Sequence, residues 1–84
     1  MSNPQLQDQP PSSDTLTDYD RAHLKLYLRL LDAHVSGGDW QEATHTLFGI
    51  DAGVEPVRAE AVFKTHLARA KWMTDHGYRQ LLAQ

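Results

Sequence analysis

The sequence predicts an all-α protein: a small helical bundle of four to five helices that contains a helix-turn-helix-like unit and follows a disordered N-terminal tail. Three observations predict it. Apolar residues recur at helical spacing in three stretches, and glycines at 37, 38, 49 and 77 punctuate them. Alternation of apolar and polar residues never persists long enough for a strand. The stretch 39–73 reads as a short helix, a break through Gly49, Ile50, Asp51, Ala52 and Gly53, and a longer helix, which is the order of a helix-turn-helix.

Residues 1–17 form the predicted tail. Pro4, Pro10 and Pro11 fall here with Ser12, Ser13, several glutamines and only two leucines, so little apolar surface can offset chain ordering. Asp8, Asp14, Asp18 and Asp20 are the only charged side chains up to position 20. Such a segment is a solubilising tail or an acidic arm that folds back on basic residues or engages a partner. The folded domain is expected over 18–84.

A first helix is predicted over 18–36. Thr17 or Asp18 caps it, Asp18 and Asp20 suit the positive end of the helix dipole, and Gly37 and Gly38 stop it. Leu24, Tyr27, Leu28, Leu31 and Val35 make one apolar stripe, while Leu26, Leu30 and Ala33 lie nearly opposite. A helix apolar on two sides is central in a bundle or keeps one side for a partner. Asp39 caps a second helix over 39–48, whose apolar side is Trp40, Ala43, Thr44, Leu47 and Phe48. The third helix runs over 55–75, with Pro56 in its first turn. Ala59, Phe63, Leu67 and Ala70 form its core stripe, flanked by Val62 and Met73. Arg58, Thr65 and Arg69 line another side close to Trp72, and Glu60, Lys64, Lys71 and Asp75 make a strip of mixed sign. A short final helix over 78–83 would close the core with Leu81 and Leu82.

Composition narrows the function. The 84 residues suit one domain with a modest core. With no cysteine there is neither a disulfide nor a thiolate metal site, and a cytoplasmic location is expected. No apolar run approaches a membrane span, and the N-terminus lacks the pattern of a signal peptide. His23, His34, His45, His66 and His76 show no i, i+4 pair, so no metal is expected. Asp32 with His34, and the run Thr44, His45, Thr46, place no nucleophile beside a base, and no glycine-rich phosphate loop is present. The expectation is therefore no enzyme, no catalytic residue and no cofactor.

DNA is also not expected as a partner. The net charge is −3, whereas phosphate neutralisation calls for a basic surface. Of the early residues of the third helix, Glu55, Val57, Arg58, Glu60 and Ala61, only Arg58 suits a base or phosphate. Glu55 and Glu60 would repel phosphates, and Lys64, Arg69 and Lys71 do not share one face. Protein binding remains, with Arg58, Thr65, Arg69 and Trp72 as candidate partner-binding residues and Leu26 and Leu30 as a second patch. The alternative for Trp72 is packing on Tyr78, Leu81 and Leu82.

Four runs carry a resemblance: Leu28-Arg29-Leu30-Leu31-Asp32-Ala33, Ser36-Gly37-Gly38-Asp39-Trp40-Gln41-Glu42-Ala43, Leu47-Phe48-Gly49 and Gly77-Tyr78-Arg79-Gln80-Leu81-Leu82. In order and spacing they resemble a helix-turn-helix-like domain of proteobacterial integrative and conjugative elements, formerly a domain of unknown function. The short acidic form is similar to the QseM-like antiactivators of conjugative transfer. This resemblance covers 18–84. It implies a monomer that binds and inhibits transcriptional activators, a TraR-type quorum-sensing regulator and an FseA-type activator, by sequestration without binding DNA. Other members of that group bind DNA, so the alternative is a DNA-binding helix-turn-helix transcriptional regulator.

Overall fold

The computed structural model describes residues 8–77; from Asp18 on it is mainly helical, with no strand among the described residues. The order is α1 (Asp18–Ala22), α2 (Leu24–Val35), α3 (Trp40–Phe48), α4 (Pro56–Trp72) and a closing π-helical turn, Met73–Gly77. The all-α class and the helix-turn-helix order are as predicted. The final helix expected over 78–83 and the first seven residues of the predicted tail lie outside the described residues.

The single helix expected over 18–36 is two helices, broken at His23 (φ −119°, ψ 24°). The His23 ring donates from Nδ1 to the Tyr19 carbonyl at 2.8 Å, taking the acceptor that a continuous helix gives to the His23 backbone N–H. That N–H turns instead to the Asp20 carbonyl at 3.1 Å. A side chain inserted into the backbone ladder kinks a helix. A capping box starts α1: the Thr17 hydroxyl accepts from the Asp20 N–H at 3.3 Å, and the Asp20 carboxylate accepts from the Thr17 N–H at 3.0 Å.

Helix α2 settles the choice between its two apolar sides in an unexpected way. Tyr27 and Leu30 are buried, and Leu26 packs against the same core. Leu28 (65% exposed) and Val35 (82%) face out. The patch expected to meet a partner, Leu26 and Leu30, is thus the inward side, and part of the expected core stripe is on the surface. The rotation follows from Tyr27, whose hydroxyl must reach the buried Asp20 carboxylate at 2.8 Å.

Asp39 caps α3 by accepting from the Gln41 N–H at 2.9 Å, and Gly49 ends it at φ 71°, the left-handed conformation that glycine adopts without strain. The connector to α4 is held from within. Ile50 is buried, and the Asp51 side chain accepts from the Gly53 N–H at 2.7 Å. Pro56 then opens α4. Two apolar clusters fill the interior. Leu16, Tyr27, Leu30, Leu67, Ala70 and Met73 make the larger, and Ile50, Ala59 and Val62 the smaller, with Phe48 packed against both. Helix α4 contributes to both clusters and packs on α2, α3 and the closing turn.

Leu16 and the backbone before it move the start of the folded unit. Leu16 is buried in the main core, and the carbonyls of Ser13 and Thr15 are hydrogen-bonded by Arg69. The stretch 8–17 therefore packs on the domain, in line with the expected alternative of an acidic arm that folds back.

Candidate functional site

Helix α4 presents three different sides, and they do three different things. The first faces the interior and is polar at its centre. Arg69, 6% exposed, donates from Nε to Asp20 Oδ1 at 2.9 Å and from Nη2 to Asp20 Oδ2 at 2.6 Å. Its remaining donors reach the Ser13 carbonyl at 2.6 Å and the Thr15 carbonyl at 3.1 Å. Burial alone would raise the Asp20 pKa, but hydrogen bonds from Arg69, Thr17 and Tyr27 outweigh it and hold the carboxyl below its usual range. Burial, then the bond to Asp20, pushes the Tyr27 phenol up. One turn before Arg69 sits His66, fully buried, donating from Nδ1 to the Val62 carbonyl at 2.9 Å and accepting at Nε2 from the Tyr19 hydroxyl at 2.7 Å. Burial holds its imidazole pKa below the ordinary value, against the opposing pull of the Val62 carbonyl. Among the described residues no buried side-chain polar atom lacks a partner.

The second side is a flank occupied by the chain itself. Arg58 grips the Asp8 carboxylate in a fork, Nε to Oδ2 and Nη2 to Oδ1, each at 2.9 Å. It also donates from Nη1 to Glu55 at 3.3 Å. The pairing with Arg58 lowers the Asp8 pKa, and the same bond raises that of Arg58. Further along, Pro10 and Pro11 help line a shallow groove with Thr65, Ala68 and Trp72. The Arg69 guanidinium lies over the Trp72 ring, 3.8 Å from its centroid.

The third side is an exposed crest. Val57 (83% exposed), Ala61, Lys64, Ala68 and Lys71 recur at i, i+4, i+7, i+11 and i+14 and all face out. Val54 (76%) extends this crest beyond the helix start. Lys64 is paired with Glu60 one turn earlier. Four of the eight Lys and Arg residues of the chain, Arg58, Lys64, Arg69 and Lys71, lie on α4 against one acid, Glu60. Three of these four bases are ion-paired, Arg58 with Asp8 and Glu55, Lys64 with Glu60, and the buried Arg69 with Asp20. Among the described residues, no cluster of three or more His, Asp and Glu side chains could hold a metal, and no helix is long and apolar enough to cross a membrane.

Residues 3–83 match the RovC DNA-binding-domain family, described as "T6SS, Transcription factor, DNA binding domain". The chain belongs to this family. A comparison with curated proteins finds no match. The family is one of transcription regulators, so the expected regulatory helix-turn-helix domain holds at that level. Membership overturns the antiactivator that acts without DNA, and with it the view of DNA as an improbable partner. The error was electrostatic. Net charge averages over the chain, whereas Asp18, Asp32, Asp39, Glu42 and Asp51 lie off α4. Glu60 is paired with Lys64, as its i, i+4 spacing predicts, and Glu55 with Arg58, so neither acid stands as an uncompensated charge before a phosphate. Lys64 and Lys71 share the exposed strip expected of them, while Arg69 is interior, so the three bases do not share one face, as expected.

The expected partner-binding residues divide. Arg58, Thr65, Arg69 and Trp72 do lie along one side of α4, but what meets that side is the chain's own stretch 8–15. Arg69 is interior, and Leu30 is core. Sequence reasoning missed the Asp20, Tyr27, Tyr19 and His66 network. A signal was present: Asp20 and Tyr27 are seven apart, and Arg69 falls at the spacing of Val62, His66 and Met73, on the side that had to be buried.

Proposed function

We propose that this domain is the DNA-binding unit of a transcription regulator and that α4 enters the major groove. The observation that carries this is the crest of α4 in a member of a DNA-binding-domain family. In a helix-turn-helix the second helix offers its early residues to base edges. Here those are Val54, Val57 and Arg58. Exposed valines suit the 5-methyl group of thymine, and Arg58 suits the O6 and N7 acceptors of guanine. Ala61 and Ala68 are small enough for close approach, while Lys64 and Lys71 reach phosphates. The domain works by binding, with no catalytic step and no cofactor, in the cytoplasm beside the chromosome. By the family's description, promoters of T6SS genes are the first duplexes to try.

Selection from a random-sequence duplex library, followed by fluorescence anisotropy across a salt series, tests this. An enriched motif is expected to bind with a log–log salt slope of about −2 to −3, one cation per phosphate. Lys64→Ala should weaken all sequences alike and reduce the slope by about 1, whereas Val57→Ala should relax preference at a thymine. No enrichment, and no binding at about 50 mM salt, where phosphate contacts are strongest, would overturn the proposal.

A further inference from the structure

The flank of α4 beside the crest holds a second message. Stretch 8–13 runs along it in the same direction as the helix, anchored at both ends. Asp8 is in the fork of Arg58, and the Ser13 carbonyl accepts from Arg69. The lengths are compatible: eleven helical residues advance about 16 Å, a distance within the reach of five residues of chain. Pro10 and Pro11, with φ fixed by their rings, lower the entropic cost of lying extended in the groove beside Trp72. The acid at its tip meets Arg58 with two oxygens on two nitrogens, the geometry in which a guanidinium also takes a phosphate.

We propose that stretch 8–13 is an intramolecular strap that competes with DNA for α4, the Asp8 carboxylate standing where a backbone phosphate or a guanine edge would engage Arg58. This rests on α4 being the reading helix. Bound DNA displaces the outer part of the strap, while Arg69, buried with Asp20, keeps the inner end in place. The strap lowers affinity for every duplex and leaves sequence preference to the crest.

The test uses the full chain and three proteins: wild type, Asp8→Asn and Asp32→Asn. The last removes the same charge from an exposed position on α2. Anisotropy with a labelled random-sequence duplex is read at low and high salt. Asp8→Asn should bind roughly 3- to 10-fold tighter than Asp32→Asn at low salt, and the gap should close as salt screens the exposed pair. Without DNA, the Arg58 side-chain N–H resonance should move in Asp8→Asn and stay in Asp32→Asn. Equal affinities for the two variants, or an unmoved Arg58 resonance, would eliminate the strap and leave the DNA-binding proposal standing. If no variant binds any duplex, that proposal fails, and the strap with it.

Discussion

At the scale of single residues, Arg69 carries the most weight. Its guanidinium spends four hydrogen bonds on Asp20, Ser13 and Thr15 inside the protein. Truncating one member of a buried ion pair strands the other charge, so Arg69→Ala is expected to cost about 3–5 kcal/mol. That is comparable to the whole stability of a domain this size, on the order of 5 kcal/mol. Arg69→Lys keeps the charge but not the fork and should recover less than half, as urea unfolding would measure. His66 sets a different signature. Its pKa is lowered in the fold, so the unfolded chain binds the proton first. Its contribution is complete above the unfolded value near 6.5 and is lost as pH falls from there through the folded value. Urea midpoints should decline from pH 7 to pH 5, by at most about 1.4 kcal/mol per pH unit for one proton, and His66→Gln should flatten that decline. Asp20 acts in a lower window: its depressed pKa gives stability present above pH 3.8 and lost as pH falls through the folded value.

At the scale of elements, the local signals in the sequence were sufficient and the nonlocal ones were not. Asp39 and Gly49 bound α3 as expected, because caps depend on neighbours a few residues away. Asp39→Ala should cost about 1 kcal/mol by leaving first-turn N–H groups without their acceptor. At Gly49 an added Cβ meets nothing within 4 Å, so Gly49→Ala should cost about 1 kcal/mol from backbone strain alone. Thermal unfolding of both variants would check these values. The break at His23 and the rotation of α2 were not legible. The break comes from the His23 ring taking the Tyr19 carbonyl, which apolar periodicity does not report, and the rotation from Tyr27 reaching an Asp20 held inward by Arg69, 49 positions away. The exposed crest of α4 was half legible. Val57 and Lys64 stood on it with Arg58 beside it, and the Glu60–Lys64 pair was legible at i, i+4, but the fork between Arg58 and Asp8, 50 positions apart, was not.

At the scale of the whole molecule, the stretch 8–17 follows the second of its two expected readings, an acidic arm folded back on basic residues. A chain beginning at residue 18 would lose Leu16 from the core, the Thr17 cap and two carbonyl partners of Arg69. It is expected to be less stable than the full chain by at least about 3 kcal/mol, which calorimetry would register as a lower Tm or no transition. Proline and serine content suggested a tail without structure, yet composition speaks only for a segment's capacity to form its own core, and this one borrows the core of the helices. The double anchoring of that segment also sets a selectivity among anions. With its inner end fixed at Arg69, Asp8 never strays far from Arg58, so it acts at an effective concentration in the millimolar range. Dispersed phosphate or nucleotide at lower concentration cannot outcompete a group tethered that closely. On the proposed competition a polyanion can, because each phosphate placed along Lys64 and Lys71 would keep the next one beside Arg58, setting avidity on one side against tethering on the other.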